Sequence, residues 1–258
     1  MTGETENCCI RYEAFVSESV ISDHSEGTTM SMRSALHGTA GIDEAGRGPM
    51  IGPMIVCGLR FDSDPHEVLN ALGVRDSKQL SSKRRESIFS AILSACSKSE
   101  VRTITARVID AERERGTSLN EIELREFVHI TQALRPSVVY VDAADVKADR
   151  FGERILQRSG LAEEGLRVIS EHRADLTYPI VSAASVVAKV TRDWIIEEYH
   201  AEFGDFGSGY PSDPKTVSFV KSLIVEGNKM PSIVRRSWES VKRLVRDYQT
   251  EQTRLDSF

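Results

Sequence analysis

Apolar and polar residues recur with two different periods along the chain after residue 38. Short apolar runs predict buried strands, and the longest of them, residues 54–61, is apolar at nearly every position. A glycine- and proline-rich turn separates this run from a shorter strand that ends at Ile42. Three further strands are predicted at residues 101–108, 138–141 and 166–169.

Between and after these strands, apolar residues recur at the spacing of amphipathic helices. The pattern predicts helices over residues 82–98, 119–134 and 182–203. Gly204 ends the third of them, and two or three further helices are expected after Gly209. The order of elements predicts a mixed α/β sheet followed by a small helical subdomain.

The patterning divides the chain into four segments. Residues 1–38 show no sustained periodicity and are expected to form a flexible extension. Residues 39–208 are expected to form the α/β domain, which would carry the catalytic chemistry, and residues 209–247 the helical subdomain. Residues 248–258 form a polar tail.

Composition narrows the classes of protein to which the chain can belong. It has 258 residues, 40% hydrophobic and 28% charged, as in globular proteins. Its longest apolar stretch, residues 49–59, contains glycine and proline and is far shorter than the roughly 20 residues of a membrane-spanning helix. The N-terminus is acidic, unlike a secretory signal, and the four cysteines form no CxxC pair. We therefore expect a cytoplasmic protein without membrane association.

The net charge of −6 argues weakly against a nucleic-acid partner, but the charge is unevenly distributed. Residues 209–250 contain eight basic and four acidic side chains. This stretch could face a polyanion, although a solvated helix face would look the same.

Acidic residues follow three of the apolar strands. Asp43 and Glu44 follow Ile42, Asp142 follows residues 138–141, and Asp175 lies a few residues beyond the last strand. Acids that converge at strand ends repel one another and favour a divalent cation, and all-oxygen ligands favour Mg²⁺ or Mn²⁺ over zinc. Two such ions about 4 Å apart are the usual device for phosphodiester hydrolysis. The alternative is that acids follow strands simply because loops are polar.

Residues 41–49, Gly-Ile-Asp-Glu-Ala-Gly-Arg-Gly-Pro, contain the strongest local signal. Two glycines and an arginine beside two acids suit a phosphate that approaches backbone N–H groups.

Residues 41–48 resemble the signature of the ribonuclease HII family, in its archaeal version. Five further stretches are similar to the same family and occur in its order: residues 76–80, 140–142, 171–175, 182–190 and 204–214. The resemblance implies a ribonuclease H-like fold, a mixed five-stranded sheet flanked by helices, with a C-terminal helical subdomain. It also implies a divalent-metal-dependent endonuclease that cuts the RNA of RNA–DNA hybrids and nicks DNA at embedded ribonucleotides, leaving 5′-phosphate and 3′-hydroxyl ends.

By resemblance, the metal-binding and catalytic acids are Asp43, Glu44, Asp142 and Asp175. Asp145 and Asp149 are the alternatives for the third acid, and Asp142 is preferred because it lies directly at the strand end.

The resemblance also implies substrate contacts. Gly46, Arg47 and Gly48 would contact the 2′-hydroxyl of the scissile nucleotide, which distinguishes RNA from DNA. Tyr210 would stack on the sugar of the following deoxynucleotide, and Lys78 would contact phosphate. For Tyr210 and Lys78, a packing role or a plain surface role is equally compatible with the sequence.

The C-terminal tail contains Gln252, Leu255 and Phe258, spaced as Gln-x-x-aliphatic-x-x-aromatic. This spacing resembles the motif by which replication and repair enzymes bind the PCNA sliding clamp, and one helical turn would place the two apolar residues on one face. A polar tail with chance apolar residues is the alternative.

Two rival functions stay open at this point. A DNA nuclease or integrase of the same fold would not need the 46–48 turn or Tyr210, and a clamp-bound module without turnover would not need four acids. The resemblance further implies a monomer that acts in DNA replication or ribonucleotide excision repair, without deciding between them.

Overall fold

The computed structural model describes residues 35–74, 81–227 and 229–255, with no side-chain description for the last two residues. In this part of the chain, five strands form one sheet in the order β3-β2-β1-β4-β5. The strands are β1 (Thr39–Ala45), β2 (Met54–Phe61), β3 (Lys98–Ile104), β4 (Val138–Asp142) and β5 (Arg167–Glu171). β1, β2 and β3 pair antiparallel, whereas β1–β4 and β4–β5 are parallel pairs. The predicted mixed five-stranded sheet is therefore confirmed.

Nine helices are described alongside this sheet. They are α1 (His66–Leu72), α2 (Ser82–Ala95), α3 (Ala106–Glu114), α4 (Leu119–Leu134), α5 (Ala148–Ser159), α6 (Ala174–Thr177), α7 (Pro179–Phe203), α8 (Pro214–Val225) and α9 (Glu239–Leu255).

Two apolar layers enclose the sheet, which explains why β2 lacks a polar face. All eight residues of β2 are buried. Ile55, Cys57 and Leu59 join a core with α7 and α2, whereas Met54 and Val56 join a core with α4 and α5 on the opposite face. A strand buried on both faces reads as a continuous apolar run.

A third apolar cluster attaches the C-terminal helices to the loop between β1 and β2. Met50 and Ile51 of that loop pack with Phe206, with Val220 of α8 and with Val234. Ile51 and Val234 also form an isolated antiparallel bridge. The C-terminal subdomain thus packs against the loop between β1 and β2.

The structure differs from the sequence prediction at several element ends. The strand predicted over residues 101–108 ends at Ile104, because the Thr105 side chain accepts a hydrogen bond from the Val108 N–H and starts α3. The helix predicted over residues 82–98 ends at Ala95. α9 continues to Leu255, so the boundary expected after residue 247 falls within a helix.

Within the described residues, no helix combines the length and the hydropathy that crossing a membrane would require.

Candidate active site

Three aspartates converge at one end of the parallel strands. Ile42 of β1 pairs with Val141 of β4, so the residues that follow, Asp43 and Asp142, lie side by side. Asp175 approaches them from α6. One carboxylate oxygen from each of the three lies within 4.8 Å of the others. Asp43, Asp142 and Asp175 are called the aspartate cluster below.

The turn after β5 brings Asp175 to this end of the sheet. Arg173 adopts a left-handed conformation, with φ of 58°, and reverses the chain into α6. The Ala174 N–H then donates to Asp142 Oδ1 at 3.3 Å. The two acids are thereby linked through the first turn of α6, in which Asp175 is buried.

The environment of Asp43 disfavours its negative charge. Burial raises the pKa of Asp43 well above its ordinary value of 3.8, and the nearby Glu44 and Asp142 raise it further. The Ser185 hydroxyl and the Glu44 N–H, 2.8 Å from Oδ1, offset part of this effect. Lys189 Nζ donates to the same hydroxyl at 2.8 Å.

Glu44 lies beside the aspartate cluster without belonging to it. Burial raises its pKa, Arg47 lowers it and Asp142 raises it, so all these charges are within electrostatic range. Its Oε2 atom is buried without a hydrogen-bond partner among the described residues. A buried carboxylate oxygen without a donor is an available ligand for a cation.

These acids fit a divalent cation of the Mg²⁺ or Mn²⁺ type. The cluster offers only carboxylate oxygens, which hard cations prefer, and no histidine or cysteine belongs to it in the described part of the chain. A bound cation would also neutralise the repulsion that raises the pKa of Asp43.

The structure separates the alternatives for the third acid. Asp145 is buried in an ion pair with Arg150, whose hydrogen bonds lower the pKa of the Asp145 carboxyl. Asp149 is exposed in the first turn of α5. Of the three candidates, only Asp142 joins the aspartate cluster.

The 46–48 turn follows β1 directly, next to the acids. Gly46 has φ of 84°, and a Cβ there would lie 2.5 Å from the Pro53 carbonyl oxygen and 2.6 Å from Arg192 Cδ. Gly48 is exposed, and a Cβ there would meet only Tyr210 Cε1, at 3.8 Å. Packing therefore requires glycine at residue 46, whereas residue 48 is open to an approaching molecule.

The Arg47 side chain is held by α4. Its guanidinium forms an ion pair with Glu123 and donates to Asn120 Oδ1 at 2.5 Å. Glu123 is fully buried on the helix face that also carries the buried residues Phe127 and Ile130. Sequence reasoning missed this partner, although an acid on the apolar face of a helix is the signal that would have found it.

Tyr210 lies beside the same turn. Tyr210 is 38% exposed, and the Arg192 guanidinium lies 5.2 Å from its ring centroid. The Gly209 carbonyl accepts hydrogen bonds from the Met50 and Ile51 N–H groups at 2.7 and 3.2 Å. The backbone next to Tyr210 is thus hydrogen-bonded to Met50 and Ile51, which lie just after the 46–48 turn.

Some of the remaining predicted residues lie in the part of the chain that the structure describes, and others lie outside it. Lys78 and Phe258 lie outside the described residues. Gln252 is exposed near the end of α9, the helix that Leu255 ends. His172, which precedes Arg173, is exposed, and its Nε2 lies 3.2 Å from the Val146 carbonyl oxygen.

The basic stretch of the C-terminal subdomain contains one residue that a polyanion cannot reach. Arg235 is fully buried. Lys215 and Arg246 form ion pairs with Asp205 and Glu239. Five others are exposed: Lys221, Lys229, Arg236, Lys242 and Arg243.

Comparison with known proteins agrees with this geometry. The family model described as Ribonuclease HII matches residues 40–241. The Ribonuclease HII of Pyrococcus abyssi is 45% identical over 221 residues, which cover 85% of this chain and 96% of that protein.

Two solved structures are similar along most of their length. The ribonuclease H2 of Pyrococcus horikoshii OT3 has a TM-score of 0.74 and 41% identity, covering 82% of this chain and 98% of the other. The PCNA:RNase HII complex of Archaeoglobus fulgidus has a TM-score of 0.73 and 43% identity, covering 80% and 96%. The chain therefore belongs to the ribonuclease HII family of metal-dependent endoribonucleases, whose activity is ribonuclease H cleavage of RNA–DNA hybrids.

Proposed function

We propose that this enzyme hydrolyses the RNA strand of RNA–DNA hybrids and also nicks duplex DNA on the 5′ side of embedded ribonucleotides. The observation that carries the proposal is the position of the aspartate cluster, which adjoins the open 46–48 turn and Tyr210. Acids that can hold cations and a turn that can approach a ribose then lie within one site.

Asp43, Asp142 and Asp175, with Glu44 beside them, would hold two divalent cations, either Mg²⁺ or Mn²⁺. When bound, such cations activate water and stabilise the leaving 3′ oxygen of a phosphodiester, which leaves 5′-phosphate and 3′-hydroxyl ends. The Ser185 hydroxyl, which bonds to the Asp43 carboxylate, keeps that carboxylate oriented toward the other acids.

Selection of ribose belongs to the 46–48 turn. A backbone N–H can donate to a 2′-hydroxyl, and Gly48 leaves the turn without a side chain that would block its approach. Tyr210, exposed and next to Gly48, would stack against the sugar of the following deoxynucleotide. The exposed lysines and arginines of the C-terminal subdomain would contact phosphates, so affinity for substrate should fall with salt.

The tail extends this function to a partner. The Archaeoglobus fulgidus relative was solved as a PCNA:RNase HII complex. Gln252 is exposed in this chain, and the motif that begins there ends at residue 258. We propose that Gln252, Leu255 and Phe258 bind a PCNA-type clamp, and that the enzyme acts as a monomer during replication or ribonucleotide repair.

The test is product analysis on four labelled duplexes: an RNA–DNA hybrid, a DNA duplex with one ribonucleotide, all-DNA and all-RNA. We expect cuts in the first two with Mg²⁺ or Mn²⁺ and none with EDTA. Polymerase extension should detect 3′-hydroxyl ends, and ligation should detect 5′-phosphates. Cutting of all-DNA would favour a nuclease or integrase of the same fold, and binding without any cutting would favour a non-catalytic module.

A further inference from the structure

One segment of the C-terminal subdomain donates hydrogen bonds to the carbonyl groups of the 46–48 turn. Arg235 donates from Nη2 to the Gly46 oxygen at 2.6 Å and from Nη1 to the Arg47 oxygen at 3.1 Å. Its Nε donates to the Gly52 oxygen at 2.9 Å. All three nitrogens of the guanidinium are thus used on backbone carbonyls of one loop.

Trp238 completes this set. Its indole Nε1 donates to the Gly48 oxygen at 3.2 Å, and its ring lies 4.8 Å from the Arg235 guanidinium. Each of the three carbonyls of the turn therefore has a side-chain donor from residues 233–238, called the 233–238 segment below.

The 233–238 segment is itself fixed on both sides. The Gly52 N–H donates to the Ile233 oxygen at 2.9 Å, and the Arg235 N–H donates to the Met50 oxygen at 2.8 Å. Asp110 of α3 accepts from the Arg236 and Ser237 N–H groups at 2.8 and 2.9 Å. The donors that face the turn are consequently held at fixed positions.

This arrangement places a cation in the protein interior. Arg235 is fully buried, and burial lowers its pKa to about 9, with the nearby Arg192 adding to the effect. An apolar side chain of similar volume would avoid the desolvation of a cation but would leave three backbone carbonyls without this donor. The arginine supplies three directed donors.

Those donors set the direction of two N–H groups. The described peptide bonds are all trans, and in a trans peptide the C=O and the following N–H point to opposite sides. With the Gly46 and Arg47 carbonyls directed at Arg235, the Arg47 and Gly48 N–H groups are directed away from it. Neither N–H donates a hydrogen bond within the described part of the chain. The third carbonyl precedes Pro49, which has no N–H.

We propose that Arg235, assisted by Trp238, is a positioning residue for ribose recognition: it fixes the 46–48 turn so that the Arg47 and Gly48 N–H groups face the 2′-hydroxyl of the scissile nucleotide. This inference rests on the proposed function. It adds two residues of the C-terminal subdomain to the selection of RNA over DNA.

The test compares Arg235→Lys and Trp238→Phe with Val220→Ala, a control that removes buried volume from the same subdomain without touching the turn. Single-turnover cleavage is measured at saturating enzyme on a DNA duplex with one ribonucleotide, at a temperature where circular dichroism shows each variant folded. Hybrid affinity is measured separately by anisotropy, without divalent metal.

We expect cleavage by Arg235→Lys to fall about 10- to 100-fold, because lysine cannot direct three donors at once. Trp238→Phe keeps the ring and loses one donor, so a fall of about three- to tenfold is expected. The dissociation constant for long hybrid should change less than about twofold in both, because phosphate contacts lie elsewhere. Val220→Ala should cleave like the wild type.

Wild-type cleavage rates in both variants, or equal losses in Val220→Ala, would overturn the positioning role and leave the proposed function intact. If Arg235→Lys does not fold, Trp238→Phe decides the question alone. If the wild type cuts no ribonucleotide-containing duplex, the proposed function fails and the positioning role fails with it.

Discussion

The 46–48 turn begins three residues after Asp43 of the aspartate cluster, yet the protein supports the two regions in opposite ways. Asp43 and Asp175 are buried and Asp142 is partly buried, and burial together with repulsion between the acids raises the pKa of Asp43 and of Glu44. The turn, by contrast, has a protein donor on each of its three carbonyls. We therefore expect a cation to stabilise the charged form of the first region, whereas each carbonyl of the second already has a donor.

This difference agrees with the functions that we propose for the two regions. A reacting centre benefits from charge that is unsatisfied until cations and substrate arrive. A recognition surface must discriminate by geometry, so it benefits from being rigid beforehand. Substitutions in the two regions should therefore fail in different ways.

The largest effect is expected at the aspartate cluster. Asp43→Asn should lower cleavage about 1,000-fold or more, because it removes a charged side chain that we propose binds metal, while hybrid binding without metal stays near the wild-type value. Gel cleavage and anisotropy measure the two quantities. Asp149→Asn, an exposed acid of α5, is the matched control and should cleave normally. Full activity in Asp43→Asn would remove that residue from the site.

The two glycines of the turn should separate stability from function. Gly46→Ala should destabilise the fold by about 1–3 kcal/mol or more. Residue 46 has a positive φ, and a Cβ there would clash with the Pro53 carbonyl oxygen. Gly48→Ala should melt like the wild type and still lose about tenfold or more in cleavage, because the new methyl would lie where we propose that ribose approaches. Urea unfolding and single-turnover cleavage together test this pair. A Gly48→Ala variant with normal cleavage would show that the open side of the turn is not used.

Tyr210→Ala should reduce cutting at a single embedded ribonucleotide by about tenfold, with a smaller loss on long hybrid. A junction-selecting ring matters most where only one site can be cut. Rates on both substrates are compared within one enzyme preparation, and Tyr210→Phe should retain the selectivity. Equal losses on the two substrates would count against stacking at the junction.

The acids also predict a dependence of stability on pH. Because the pKa values of Asp43 and Glu44 are raised on folding, the folded protein binds more protons than the unfolded chain above the ordinary values of 3.8 and 4.5. Without divalent metal, stability should fall as pH rises through the raised pKa values, and Mg²⁺ should restore it increasingly at high pH.

Thermal melts between about pH 5 and 8, with Mg²⁺ and with EDTA, measure this effect. Asp43→Asn should flatten the metal-free curve and reduce the Mg²⁺ stabilisation. A Mg²⁺ effect that is the same at every pH, or unchanged in the variant, would contradict the interpretation.

The smallest effect on cleavage is expected from the tail. Deletion of residues 252–258 should leave cutting of free substrate unchanged and weaken binding to a PCNA-type clamp. Titration of the clamp against full-length and truncated protein measures this, and equal affinities would refute the docking motif.

The aspartate cluster could be predicted from the sequence because its members are marked locally, by apolar strands that run into acids. Pairing of Ile42 with Val141 then placed Asp43 and Asp142 together, as the parallel arrangement required. The end of β3 at Ile104 could not be predicted from the sequence in this way. Apolar and polar residues alternate over residues 101–108 as in a strand, although Thr105 caps α3.

The support of the turn could not be predicted from periodicity. Arg235 belongs to a stretch whose excess of basic residues suggested a surface for a polyanion, and the structure buries it under residues 46–52. Its partners are carbonyl groups nearly 190 positions earlier in the sequence, and every residue type carries a carbonyl. A contact of a side chain with distant backbone therefore leaves no pattern in the sequence.

The most direct test of cleavage at a ribonucleotide by this site compares two DNA duplexes that differ by one 2′-hydroxyl. Wild-type protein and Asp43→Asn are each given both duplexes at saturating enzyme with Mg²⁺. We expect the wild type to nick only the duplex with the hydroxyl, on its 5′ side, and Asp43→Asn to bind both duplexes and nick neither. Nicking of the all-deoxy duplex at a comparable rate, or unimpaired nicking by Asp43→Asn, would contradict this expectation.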